Sequence, residues 1–157
     1  MTGLGYAILG AALAAILAGI GSAIGVGISG QASAGVVSEN PDLFGKLLVI
    51  QALPGTQGIY GFLTAIMVMI RVGLLSGSPA DLTVDQGLQF LLACLPIAIG
   101  GLISAIYQGK VAVSAIHMTA KQPDASARGI TMTALVETYA ILALLVSILL
   151  ILIGIKL

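Results

Sequence analysis

Apolar residues fall into four long stretches, at about residues 4–37, 45–75, 86–119 and 129–155. Each exceeds the roughly 20 residues that an α-helix needs to cross a bilayer. The breaks between them are SENPDLFGK (38–46), SGSPADLTVD (76–85) and TAKQPDASAR (119–128), each carrying proline and charge as a connection in water should. The pattern predicts an all-α membrane protein of four transmembrane helices, a single membrane domain over 1–157. Its two helical hairpins cover 4–75 and 86–155. Several stretches are longer than the minimum, so the helices should tilt or project beyond the bilayer.

Composition strengthens this picture. The chain is 59% hydrophobic, has no Trp, and only 8% of its residues are charged, against about 25% in soluble domains. A net charge of zero and the absence of a basic run argue against a nucleic-acid partner. Cys94 is the one cysteine and sits in an apolar stretch, so it is expected to pack, not to form a disulfide or bind metal. The opening MTGLGYAILGAALAAILAGIGSA ends in small residues like a signal peptide. It lacks an early Lys or Arg, and the apolar pattern runs past any cleavage point, so it is read as an uncleaved first span. Charges gather at span ends. Lys46, Lys121 and Arg128, with Lys110 nearby, make the side bearing the first and third turns the more basic, despite Arg71 on the other. That side is therefore expected to be cytoplasmic and both termini non-cytoplasmic.

The chain also resembles itself at an offset of 82 residues. Pro41-Asp42 maps onto Pro123-Asp124, Lys46 onto Arg128, Ser22-Ala23-Ile24 onto Ser104-Ala105-Ile106, Ala52-Leu53 onto Ala134-Leu135, and Thr56 onto Thr138. The unit contains two spans, so the copies have parallel topology and the hairpins arise by tandem duplication. Gly19, Ala23 and Gly27 correspond to Gly101, Ala105 and Gly109. Small residues spaced by four let helices approach closely, which predicts that both rows are packing faces. The first span carries a second small row, Gly21, Gly25, Ser29 and Ser33. A helix that is small on two sides suits an assembly of many copies better than a monomeric bundle.

The repeat breaks at Glu137, whose counterpart is Gly55. A carboxylate at mid-membrane costs at least roughly 2.5–3.5 kcal/mol, so a functional role is expected over a protonated structural one. Gln108 lies 15 residues before Pro123, Glu137 lies 14 after it, and Thr56 lies 15 after Pro41. At about 1.5 Å per residue all three stand roughly 20 Å from the same-side turns, in one layer. Leu53, Thr56, Gln57 and Tyr60 share one helix face. Pro54-Gly55 removes an N–H and crowds a carbonyl, so the helix should bend and free backbone oxygen there. A hard cation needs several oxygens. The Glu137 carboxylate, the Thr56 hydroxyl, the Gln57 and Gln108 amides and a carbonyl near Leu53 would supply a Na⁺-sized cage. A proton needs only the carboxyl group in apolar surroundings. Two glutamines and a threonine favour Na⁺, with H⁺ as the alternative.

LPGTQG (53–58), QGK (108–110), VETYA (136–140) and the duplicated hairpin closely resemble the rotor-ring proteolipid of V-type ATPases, especially the bacterial Na⁺-pumping kind. The resemblance covers essentially the whole chain. It implies that Glu137 is the ion-carrying carboxylate, with Leu53 (carbonyl), Thr56, Gln57 and Gln108 as the other Na⁺ ligands and Tyr60 hydrogen-bonded to Glu137 in the locked state. It also implies a ring of identical copies in a bacterial plasma membrane. The first and third helices would line the inside, and the second and fourth would face outward toward lipid. The partners implied are a stator membrane subunit presenting an Arg and a central-stalk subunit docked on the cytoplasmic turns. One carboxylate per four helices means fewer ions per turn and more free energy for each, which suits a pump over a synthase.

Other features bear on this reading. A stand-alone small exporter of organic cations usually relies on aromatic faces; the aromatics near the layer are only Tyr60, Tyr107 and Tyr139. A purely structural spacer would be indifferent to Glu137→Gln. His117 is read as a surface or packing residue before a pH sensor, and Thr138 and Tyr139 as facing away from Glu137. No glycine precedes a Lys-Ser/Thr pair, so the chain is expected to be a non-catalytic subunit with no nucleotide site.

Overall fold

The computed structural model describes residues 2–156; Met1 and Leu157, the outer limits of the predicted domain, lie outside the described residues. Every regular element among the described residues is helical. α1 (Gly3–Glu39) is the first span. The second is split into α2 (Phe44–Ala52) and α3 (Thr56–Arg71) by a 3₁₀ turn at Leu53–Gly55. α4 (Val84–Lys121) is the third, and α5 (Ser126–Leu149) the fourth, ending in a π-helical turn at Leu150–Gly154. All four spans are long and apolar enough to cross a membrane.

Local chemistry sets the ends of these helices. Thr2 Oγ1 accepts from the Gly5 amide at 3.3 Å. Thr83 and Gln86 form a reciprocal capping box, with Gln86 N donating to Thr83 Oγ1 at 3.2 Å and Thr83 N to Gln86 Oε1 at 3.0 Å. The second span stops at Arg71, short of the expected residue 75, because Gly73 takes a left-handed φ of 71°. Leu74 N then donates to Met69 O at 3.0 Å and Gly73 N to Ile70 O at 3.1 Å, closing the helix with a Schellman motif.

The first and third turns are far tighter than the stretches 38–46 and 119–128 predicted as connections. Only Asn40 and Gln122 leave helical geometry, with nearly the same dihedrals (φ −138°, ψ 88° and φ −138°, ψ 86°). Pro41 and Pro123 follow at once as the first residues of 3₁₀ turns. Proline lacks the amide that a helix leaves unpaired at its first position, and its φ is preset, so the chain turns back into a helix within one residue. The duplication is thus visible in backbone angles as well as in sequence. Lys46 Nζ donates to Pro123 O at 3.0 Å, which ties the two turns together at one end. At the other end Gln86 Nε2 donates to the Lys156 carbonyl at 3.0 Å.

α1 and α4 lie side by side and parallel, in backbone contact along their length. A Cβ on Gly10 would stand 2.7 Å from Leu91 Cα, one on Gly21 2.7 Å from Leu102 Cα, and one on Gly109 2.5 Å from Gly25 Cα. α3 packs on α1, where Gly61 meets Ala14 and Ala18, and α5 packs on α4. The two small rows predicted to act alike do not. Gly101, Ala105 and Gly109 are buried against α1, whereas Ala23 and Gly27 are exposed and Gly19 has open space where a Cβ would be. Two parallel copies placed side by side touch through non-equivalent faces. The α4 row therefore meets the Gly21–Gly25 row of α1 and leaves the 19–23–27 row free.

Two apolar clusters result. One gathers Ala14, Val68, Phe90, Cys94 and Ile97 with Ile151; the other gathers Leu43, Leu47, Ile50, Ala112 and Ile116. Replacing Gly109 by Val should force α1 and α4 apart, since the atoms in the way belong to backbone. Overpacking of about 1–3 kcal/mol should lower the melting temperature of the detergent-solubilised protein by about 5 °C or more. Gly45→Ala, exposed and with nothing within 4 Å, should leave it unchanged.

Candidate functional site

Between the apolar clusters lies a polar layer contributed by all four spans. It starts from proline chemistry. Pro54 cannot donate to the helical ladder, and the backbone tightens there into the 3₁₀ turn Leu53–Gly55. The Leu53 carbonyl takes the Thr56 amide and the Thr56 hydroxyl, the latter at 3.0 Å. One turn later the Gly58 amide leaves the ladder and donates to Ser22 Oγ of α1 at 2.7 Å. Next to Pro96 in α4, the Ile97 amide donates to Ser147 Oγ of α5 at 3.2 Å. Ser147 thus offers a backbone group beside the proline an acceptor that the bilayer core lacks.

The predicted residues converge as follows. Gln57 and Gln108 are fully buried. Gln57 Oε1 stands 3.3 Å from Thr56 Oγ1, and its Nε2 donates to Gln108 Oε1. Gln108 Nε2 donates to the Thr133 carbonyl of α5 at 3.1 Å. Leu53, Thr56, Gln57 and Gln108 therefore form one connected group. Glu137 is half-buried on α5, and Tyr60 Oη of α3 donates to its Oε1. That is the one side-chain hydrogen bond of Glu137 among the described residues, so Tyr60 is its link to α3. The Tyr60 carbonyl in turn accepts from Thr64 Oγ1 at 2.9 Å.

Sequence reasoning passed over two contributors. Ser104, buried on α4, accepts from Gln57 Nε2 at 3.3 Å and donates to the Val136 carbonyl at 2.9 Å. Thr133 lends its backbone oxygen. Ser104 was visible as the repeat partner of Ser22, but its contacts depend on α4 meeting both α3 and α5. Thr138 and Tyr139 point away, as expected: Thr138 Oγ1 bonds the Leu135 carbonyl at 2.7 Å, and Tyr139 is 70% exposed. His117 is exposed beside the Glu39 end of α1.

The corresponding place in the first repeat shows what the second has gained. Thr56–Leu53 and Thr138–Leu135 make the same hydroxyl-to-carbonyl bond. Gly55 replaces Glu137, and Val26, 82 residues before Gln108, lies beside it with Cγ2 3.6 Å from where a Gly55 Cβ would stand. The first repeat thus has apolar surroundings and no acid at the position where the second has a carboxylate and an amide. Chemically, the second arrangement offers one ionisable oxygen pair, two amides, a hydroxyl and a backbone carbonyl in a water-poor layer. These are hard, oxygen-only donors of the kind that suit an alkali cation.

The family model for the ATP synthase C subunit matches the chain twice, at residues 9–68 and 91–150. The two matches stand at the 82-residue offset seen in the sequence. The V-type sodium ATPase K subunit of Enterococcus hirae is 49% identical over 150 residues, covering 96% of this chain and 92% of that one. The A-type ATP synthase K subunit of Methanocaldococcus jannaschii is 42% identical over 142 residues, covering 90% and 60%. The 16 kDa proteolipid of the V-type proton ATPase of Nephrops norvegicus is 27% identical over 143 residues, covering 91% and 87%.

The tie to α3 is directly testable. Tyr60→Phe removes the donor to Glu137, a bond of about 1 kcal/mol, so labelling of Glu137 by a hydrophobic carbodiimide should quicken about fivefold. The labelled peptide, followed by mass spectrometry against time, gives the rate.

Proposed function

The chain belongs to the family of ATP synthase C subunits, and on that basis we propose that it is the ion-carrying rotor subunit of a V-type ATPase with Na⁺ as its coupling ion. It is a multi-pass membrane protein, a non-catalytic subunit that works in many copies beside other ATPase subunits. The reading rests above all on the polar layer, where Thr56, Gln57 and Gln108 gather neutral oxygen around the depth of Glu137. The name of the Enterococcus hirae relative points to the same ion. Glu137, Thr56, Gln57, Gln108 and the Leu53 carbonyl are the proposed ligands, with Tyr60 holding the carboxylate.

The mechanism follows from charge. An ionised Glu137 at the lipid-facing surface is costly, whereas Glu137 with Na⁺ bound is close to neutral and crosses the lipid-facing arc. A fixed cation on the stator, an Arg by its chemistry, favours ion release as each Glu137 passes and then leaves it free to reload. ATP hydrolysis on other subunits turns the ring, and each copy carries one ion per revolution. With Gly55 in the first repeat, four helices share one ion. Moving a charge against 100 mV costs about 2.3 kcal/mol, and fewer charges per turn leave more free energy for each, which suits pumping.

The exposed Ala23–Gly27 edge of α1 offers a close-packing face to the next copy in the ring. The basic turns around Lys46, Lys121 and Arg128 face the cytoplasm and the central stalk, in a bacterial plasma membrane, with both termini outside.

The reading is tested by carbodiimide labelling of Glu137 in native membranes, titrated with NaCl at constant pH and ionic strength. Protection by Na⁺ and not by K⁺ is expected. Labelling that follows pH alone and ignores Na⁺ would make the protein a proton carrier with structural glutamines. Glu137→Gln should assemble normally, resist labelling and abolish ATP-driven ²²Na⁺ uptake into vesicles.

A further inference from the structure

We infer that Ser104 sets the orientation of the Gln57 amide, and so decides that oxygen, not nitrogen, faces the cation. The inference rests on the cation-site reading of the polar layer and adds a residue to it. A glutamine side chain can be rotated by half a turn with little change of shape, and only its partners fix which atom points where. In this site the partners agree on one orientation. The Ser104 hydroxyl has a single proton, and that proton goes to the Val136 carbonyl at 2.9 Å. Toward Gln57, 3.3 Å away, Ser104 can only accept, so the nearby atom must be Nε2.

Gln108 reaches the same result from the other side. Its Nε2 is committed to the Thr133 carbonyl, so its Oε1 faces Gln57. Gln57 Nε2 thus lies between two acceptors, and its Oε1 is turned to the Thr56 hydroxyl, whose one proton it shares with the Leu53 carbonyl. A flipped Gln57 would set oxygen against oxygen at both contacts and present an NH₂ group to the ion. Ser104 has a further part to play when an ion is bound. If Gln108 Oε1 turns toward a cation, Ser104 remains as the buried acceptor for the Gln57 amide, which would otherwise lose a partner in a dry layer. Because Val136 adjoins Glu137, the same hydroxyl also ties the α5 backbone beside the acid to α4.

Ser104 is therefore a positioning residue, acting on the ion through Gln57. Groups that orient the ligands of an ion commonly change affinity by 10–100-fold when removed. Since Gln108 shares the task, the lower end is expected here.

The test uses the assembled oligomer in native membranes and compares wild type, Ser104→Ala and Ser104→Thr. Threonine keeps the hydroxyl, and Ser104 borders an open apolar groove lined by Gly100, Ile103, Tyr107, Val136 and Tyr139, which gives the added methyl room. The readouts are the Na⁺ concentration that half-protects Glu137 from carbodiimide, the labelling rate without Na⁺, and the particle size. Ser104→Ala should raise the half-protecting concentration about tenfold, with the Na⁺-free rate and particle size unchanged, and Ser104→Thr should stay within about threefold of wild type. An unchanged midpoint in Ser104→Ala overturns the inference. So does a Na⁺-free rate that moves as much as the midpoint, or a Ser104→Thr variant as impaired as Ser104→Ala. If wild type itself shows no Na⁺ protection, the cation-site reading falls first and the inference falls with it.

Discussion

A charged group in the hydrocarbon layer has no water to answer it, and the organisation of this molecule follows from that condition. Glu137 is set on α5 where Tyr60 of α3 reaches it, and behind that pair lie two buried amides whose own nitrogens are already committed. What remains unspent in the layer is oxygen. On the proposed reading, a cation entering it would exchange hydration for protein oxygens without leaving an orphaned donor, and the carboxylate would lose the charge that bars it from lipid.

The same condition governs the backbone. Two of the four spans contain a proline within the membrane, and each proline interrupts the helical ladder. Ser22 meets the Gly58 amide and Ser147 meets the Ile97 amide, both from a neighbouring span. Because the break at Leu53–Gly55 is stabilised from α1, the Thr56–Gln57 face of α3 keeps a defined position relative to α4 and α5. Small residues make this possible: α1 and α4 touch at Gly25 and Gly109, close enough for short hydroxyl side chains to bridge helices.

Duplication followed by divergence accounts for the asymmetry. The corners at Asn40 and Gln122 and the Thr56 and Thr138 bonds are kept in both halves. The acid and its buried amide belong to one half only, with Gly55 and Val26 in the other. The copies also pack by different faces, since a parallel side-by-side pair touches heterologously. The small row of the first span that is left exposed is the edge through which such a contact can be repeated by another copy.

The four spans, the parallel duplication, the odd carboxylate and the depth of the polar layer were legible in the chain alone, because length, hydropathy, offset and rise per residue are one-dimensional properties. Leu53, Thr56, Gln57 and Gln108 were legible as one polar group and Tyr60 as the partner of Glu137, since helical spacing and equal depth bring them to one level. The rest came with packing. Which small row of α1 faces α4, the one-residue corners at Asn40 and Gln122, the early stop at Gly73, and the parts played by Ser104 and Ser147 depend on how helices rotate and approach one another. Rotation about a helix axis leaves no trace in hydropathy when both faces are small and apolar. Only the packed backbones decide which hydroxyl meets which amide.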